Sequence, residues 1–196
     1  MRLFPALAFL ALLGPAAAAR AAAPPPSAEG LLAKGGVWVV SRPDPDKVSA
    51  HVEAAIDIAA PPEQVWRTMT DCRNAYRLIT NLKSCRIVQG DMARGWDVRE
   101  HVTKGGLIPS MRIVFRSDYT AFSDIAFKLV EGDLKVEQGE WRLVPLRNGT
   151  ATRVIYENRL ALNLPVPQGL LADSLKKDTP KALIRLRDLC IEAAKR

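Results

Sequence analysis

Glu100 repeats in phase with Trp96, Val98 and Val102, and Asn158 in phase with Tyr156 and Leu160, so an otherwise apolar alternation carries a carboxylate and an amide. On an apolar sheet face a carboxylate needs a partner or a raised pKa. With the Tyr156 hydroxyl, these groups could orient the polar end of a bound molecule, or act as acid or base on it. Near strand ends the same groups would simply reach water. Histidine offers less: only His51 and His101 are present, and both fall on the charged phase of their segments. Acid–base work by imidazole is therefore poorly supported, and no catalytic residue is assigned. The chain contains no G-x-S-x-G, H-E-x-x-H, glycine-rich phosphate loop or C-x-x-C. Acyl transfer, zinc hydrolysis and nucleotide binding thus lack their usual signatures, and neither a metal nor a cofactor is expected.

The three cysteines, Cys72, Cys85 and Cys190, depend for their state on the compartment. The chain opens with Met1-Arg2, an apolar run from Leu3 to Leu13, a break at Gly14-Pro15 and an alanine tract ending at Ala19. That order predicts a secretory signal peptide over 1–19, cleaved after Ala19, with an uncleaved anchor as the alternative. A periplasmic or secreted location follows. There, Cys72 on a short helix and Cys85 at the next strand, 13 residues later, are expected to form a disulfide. It would stabilise by about 3 kcal/mol on the loop-entropy estimate; two separate buried thiols are the alternative. Cys190 is read as a buried thiol.

Removing 1–19 leaves 177 residues, enough for one domain with a real core. Residues 20–35, rich in alanine and proline, are expected to be a flexible leader, and 36–196 the domain. The remaining 27 basic and 21 acidic residues give +6, scattered along the chain. No nucleic-acid partner is expected; transient contact with an anionic membrane surface is, the alternative being a solvated basic surface. A monomer is expected.

The elements that must position these groups follow from period and punctuation. Val37–Val40 and the alternating stretch from Val48 to Ile58 read as a hairpin into a first long strand. Pro61-Pro62 opens a short helix with Val65, Trp66 and Met69 on one side, and Asp71 caps a second with Cys72, Tyr76 and Ile79. From Leu82 to Leu162 about six strand-like segments are divided by turns, with Asn148-Gly149 the strongest hairpin signal. Lys104–Pro109, with Gly105-Gly106, is a hairpin loop or a gate.

Within this antiparallel meander one face collects Trp96, Val98, Met111, Ile113, Phe115, Phe127, Leu129, Trp141, Tyr156 and Leu160; the other collects Arg99, Arg112, Arg116, Lys128, Arg142, Arg153 and Arg159. The last segment carries Leu171, Leu175, Leu183, Leu186 and Cys190 at helical spacing and must cover the dry face, with Pro180 expected to kink or split it. The expected fold class is α+β: a curved antiparallel sheet of about seven strands, two short helices after the first long strand, and a long C-terminal helix over the concave face.

The run Ala54–Trp66 with Asp71 and Tyr76, then Gly139–Pro145, Thr152–Asn158 and Pro165-Val166-Pro167, resembles the START-like helix-grip proteins. Within them it is similar to the polyketide cyclase/dehydrase and lipid transport family, coenzyme Q-binding START-type proteins included, over about residues 48 to 195. The resemblance implies a cavity between sheet and last helix that holds a hydrophobic small molecule: a lipid, an isoprenoid quinone or a polyketide-like compound. The expected lining is Trp96, Val98, Glu100, Met111, Ile113, Phe115, Phe127, Leu129, Trp141, Tyr156, Asn158, Leu171 and Leu175. The function expected is binding or transport; the alternative is a cyclase- or dehydratase-type enzyme with Glu100 or Tyr156 as acid or base.

Overall fold

The computed structural model describes residues 21–105 and 109–194. The expected signal segment 1–19 and the middle of the Lys104–Pro109 connection lie outside the described residues. Eight strands take up the alternating segments: β1 (Val37–Pro43), β2 (Ala50–Ile58), β3 (Leu82–Asp91), β4 (Trp96–Thr103), β5 (Arg112–Thr120), β6 (Asp124–Gly132), β7 (Leu134–Leu146) and β8 (Ala151–Leu162). All pairs are antiparallel, in the order β1-β2-β8-β7-β6-β5-β4-β3. The meander from β3 to β8 is therefore as expected, and β8 then returns to pair with β2. The count is eight rather than about seven because the Val37 run continues to Pro43 and pairs with β2 along its whole length. Asn148 and Gly149 adopt positive φ of 56° and 85° at the β7–β8 turn, the backbone that this dipeptide tolerates.

Among the described residues four α-helices accompany the sheet: α1 (Glu29–Leu32), α2 (Pro62–Thr70), α3 (Cys72–Leu78) and α4 (Gln168–Ala193). Pro62 sits in the first turn of α2, where its missing N–H costs nothing. Asp71 caps α3 by accepting from the Arg73 N–H at 2.8 Å. Cys72 and Cys85 are joined, tying α3 to β3, while Cys190 is a free, buried thiol.

Pro180 does not split α4, which runs continuously for 26 residues. The carbonyl that the proline leaves unbonded belongs to Lys176, an exposed residue, so water can satisfy it.

The core forms where α4 meets the sheet edge. Leu183, Leu186 and Cys190 pack with Val65 and Trp66 of α2 and with Ala54, Ile56 and Ile58 of β2. Leu171 and Ala172 pack with Ala50, flanked by Leu160, Leu162 and Leu175. Full burial of each such leucine or isoleucine contributes about 1.5–3 kcal/mol. Because α4 packs chiefly along β1 and β2, it leaves the inner surface of β4 to β7 less covered.

Residues 21–35 are not a free leader. Ala21, Ala28 and Leu32 are buried against Ala55 and Ile155 on the outer face, beside Trp38 and Val144. The Ala21 N–H donates to Glu140 at 2.7 Å, its carbonyl accepts from Arg142 at 2.7 Å, and Glu29 pairs with Arg153 at 2.6 Å. The cause is an apolar strip on the outer side of β2 and β8, which the N-terminal segment removes from water.

Candidate ligand-binding trough

Strand register assembles the inner face row by row. Tyr156, Trp141, Ile125 and Tyr119 are cross-strand partners; so are Asn158, Gly139, Phe127, Ser117 and Asp97; so are Arg99, Phe115 and Leu129; and His101 lies between Cys85 and Ile113. This face looks toward the helices, since Tyr119 meets Trp66 of α2 edge-on at 5.5 Å. Along it runs an unbroken line of rings: His101 to Phe115 at 4.9 Å, Phe115 to Phe127 at 6.5 Å, Phe127 to Tyr156 at 6.4 Å and Tyr156 to Trp141 at 4.0 Å. Gly139 permits the line: a Cβ there would collide with the Glu157 carbonyl, the tip of the Phe127 ring and the Asn158 Cα.

These rings are not filled over. Ile125, Leu143 and Val154 are fully buried beneath the helices, whereas Ile113, Phe115, Phe127, Leu129, Trp141 and Tyr156 keep part of their surface free. Tyr156 and Glu137 are set deep among protein atoms and yet retain accessible surface, as groups lining a recess do. These partly uncovered rings form an open inner surface, here called the trough, beside α2, whose Trp66 meets Tyr119, and α3, which the disulfide ties to β3. The disulfide fixes one wall, because Cys85 stands directly opposite His101 in the sheet.

Polar groups occupy the trough in two places. At the β4 end, Asp97 and Arg99 form a buried pair with contacts of 2.8–3.0 Å, and the guanidinium lies 6.0 Å from the centre of the Tyr119 ring. Burial, helped by Arg99, pushes the His101 pKa down to about 4. At the β7–β8 end, burial alone raises the Glu137 carboxyl to about 7, and the Tyr156 phenol is pushed up by burial and by Glu137. The nearby Asn158 side chain opposes this rise in the Tyr156 phenol. Glu137 Oε2 and Asn158 Oδ1 are both buried and have no hydrogen-bond partner.

Of the residues expected to line a cavity, Met111, Ile113, Phe115, Phe127, Leu129, Trp141, Tyr156 and Asn158 share the inner phase, and Leu171 and Leu175 flank the trough from α4. Trp96, Val98 and Glu100 do not join them; they face outward. Arg116 lies 4.4 Å over the Trp96 ring, Val98 pairs across the ladder with Arg116, and Glu100 is clamped by Arg86 at 2.7 Å and Arg112 at 2.6 Å. These arginines hold the Glu100 carboxyl down at about 2. Arg99 and His101, expected on the wet side, are inside.

The reversal has a physical cause: Asp97 neutralises Arg99, so β4 can turn its charged phase inward, while arginine stems cover its apolar phase outside. His51 does lie on the outer face, 2.9 Å from Glu157, in a depression of about 590 Å³ whose Arg42, Asp44 and Arg159 are also ion-paired. Asp97, Arg99, Tyr119, Gly139 and Glu137 were missed as site residues. For Glu137 and Gly139 the signal was available, since both lie on the period that runs to Trp141.

A sheet gripping a long C-terminal helix, with two short helices after its first long strand and a recess between, defines the START-like helix-grip class. Residues 58–187 match the family model described as polyketide cyclase / dehydrase and lipid transport, and the chain belongs to that family. No curated protein matches it. Among solved structures it is similar to the STAR-related lipid transfer protein of Xanthomonas axonopodis, at 14% identity and TM-score 0.67, covering 79% of this chain and 93% of that one. It is similar to human STARD10 at 13% identity and TM-score 0.65, covering 82% and 71%. It is also similar to the Zhui aromatase/cyclase of a Streptomyces species at 17% identity and TM-score 0.59, covering 76% and 94%. At these identities the likeness concerns the fold.

Proposed function

We propose that the protein is a carrier that holds a hydrophobic small molecule, such as a lipid, an isoprenoid quinone or a polyketide-like compound, in the inner trough without converting it. The observation that carries this reading is the line of partly uncovered rings from His101 to Trp141 beside a helix that leaves them open. Covering roughly 300 Å² of apolar surface there would supply about 7 kcal/mol at 25 cal/mol per Å², before the cost of immobilising the ligand. The lipid-transport description of the family and the lipid transfer relative in Xanthomonas axonopodis support it. The exposed Lys176 and Lys177 of α4 fit brief docking on anionic lipid, where a ligand could exchange with the bilayer. A periplasmic or secreted site of action is part of the proposal. The apolar run from Leu3 to Leu13 and the Cys72–Cys85 bond, of a kind that persists in oxidising compartments, support it.

One observation favours a second reading, an enzyme of cyclase or dehydratase type. Glu137 faces the trough with a carboxyl raised to about 7, where a general acid or base is most effective. Glu100 cannot serve, being outside and ion-paired.

Native mass spectrometry of protein purified without detergent from its own host, followed by organic extraction, tests the carrier reading. A discrete adduct of lipid-like mass that extraction removes intact is expected. Protein that is uniformly ligand-free and takes up no apolar probe, or that returns the molecule chemically changed, overturns it.

A further inference from the structure

The trough is apolar along most of its floor, yet its β7–β8 end offers two buried acceptors that nothing in the protein satisfies. Glu137 and Asn158 are diagonal neighbours on the inner face: Gly139 pairs with Asn158 and Leu160 with Glu137. Glu137 Oε2 and Asn158 Oδ1 are each without a partner, and Asn158 is only 3% exposed. A buried acceptor left unmade is destabilising, and replacing it with an apolar side chain of similar shape would remove that cost. Next along the same face comes Tyr156, paired with Trp141, whose phenol feels both Glu137 and Asn158 and whose ring forms part of the aromatic floor. Two unsatisfied acceptors in successive rows beside a phenol, at the end of an aromatic line, are the complement of an amphiphile whose head donates hydrogen bonds.

We infer that the Glu137–Asn158 end of the trough is a head-group subsite for a hydrophobic ligand bearing a hydrogen-bond donor, a hydroxyl or an amine, and that it discriminates against carboxylate and ether heads. The inference rests on the carrier reading and deepens it. The apolar body of the ligand lies along Tyr156, Phe127 and Phe115, and the head donates to Glu137 Oε2 and Asn158 Oδ1. A carboxylate head would bring a third acceptor against two others and is rejected; an ether leaves both protein acceptors unsatisfied. The ion-paired Asp97 and Arg99 at the other end offer no such vacancy, since Arg99 is held through Nε and Nη2.

The test is a titration calorimetry series on the whole protein with four probes sharing one tail: decanol, decylamine, decyl methyl ether and decanoate at pH 8. Decanol and decylamine are expected to bind at least about tenfold more tightly than the ether, the worth of a hydrogen bond to a buried carboxylate, and decanoate no better than the ether. In a Glu137→Leu, Asn158→Leu variant the preference for alcohol over ether should vanish while ether affinity stays within about threefold. Equal affinity for alcohol and ether in the wild-type protein overturns the subsite and leaves the carrier reading standing, and needs no variant to fold. A preference that survives the double substitution also overturns it. If none of the four binds, the carrier reading fails and the subsite with it.

Discussion

On the outer face of the sheet Glu100 sits between Arg86 at 2.7 Å and Arg112 at 2.6 Å, whereas on the inner face Glu137 Oε2 has no hydrogen-bond partner. The contrast extends beyond one pair. Outside, Arg116 meets Asp118, Arg153 meets Asp57 and Glu29, Arg159 meets Asp44 and Asp46, and His51 meets Glu157. Inside, among the described residues, one charged pair is complete and two acceptors are idle. Partly exposed pairs are easy to form and each contributes little, because water screens them and would solvate either partner alone. An unmade bond in the interior has no such recourse. Polarity kept on the inner face against that cost is better explained by something the trough holds than by the fold.

The largest effect that would break this contrast is expected at the one complete inner pair. Asp97→Ala leaves Arg99 buried with no counter-charge, and should cost about 3–5 kcal/mol of unfolding free energy in urea titration. Replacing both residues together, Asp97→Leu with Arg99→Met, should cost clearly less, since no charge is then stranded. A loss under about 1 kcal/mol for the single change would mean that Arg99 reaches water and that the β4 end of the trough is not enclosed.

A second effect separates the inner groups by pH. The Glu137 carboxyl is raised to about 7 in the folded protein from an ordinary 4.5, so between those values the folded chain keeps a proton that the unfolded chain releases. Its contribution is therefore fully present at pH 4.5 and is lost as pH rises through 7. His101 is lowered to about 4 from 6.5, so the unfolded chain binds the extra proton, and that contribution is present above 6.5 and lost as pH falls to 4. Urea titrations at pH 4.5 and 7.5 should show Glu137→Gln gaining on the wild-type protein by on the order of 2 kcal/mol at the higher pH. His101→Phe should gain at the lower one. Parallel stability–pH curves for all three proteins would show that neither group is enclosed.

How far the sequence discloses this arrangement differs between the two faces. The strand and helix order, the Asn148-Gly149 turn, the Cys72–Cys85 bond and the inner phase from Met111 to Asn158 were legible, because there local period and burial agree. In β4 they disagree. Alternation assigns Trp96, Val98 and Glu100 to the interior, but the Asp97–Arg99 pair can be recognised as self-neutralising only once both are known to share a face with Tyr119. Glu137 lies on the legible period that runs to Trp141, and only the part of β7 before it, where the register shifts between Leu134 and Val136, falls out of step. The alanine- and proline-rich segment from Ala21 to Leu32 looked unable to bury anything; its partners, Ala55 and Ile155, are small or sparse in any one stretch and form a strip only across two paired strands.

That covered strip supplies the smallest effect and the sharpest check on the outer face. Arg153 holds Asp57 at 2.7 Å and reaches over the strip to Glu29 of α1 at 2.6 Å. Because Glu29 is more than half exposed, its link to Arg153 is a surface pair that salt screens, unlike the apolar contacts of Ala28 and Leu32 beneath it. Arg153→Ala should therefore loosen the N-terminal segment without touching the trough. Limited proteolysis within residues 21–35 should quicken by roughly fivefold at low salt, and the difference should shrink at 1 M salt, the scale of a screened surface pair. Cleavage of the wild-type segment as fast as that of the variant would mean that α1 is not held at all. A variant that also lost affinity for an apolar ligand would show that the two faces are coupled through β8, and the division between a structural outer face and a binding inner face would have to be abandoned.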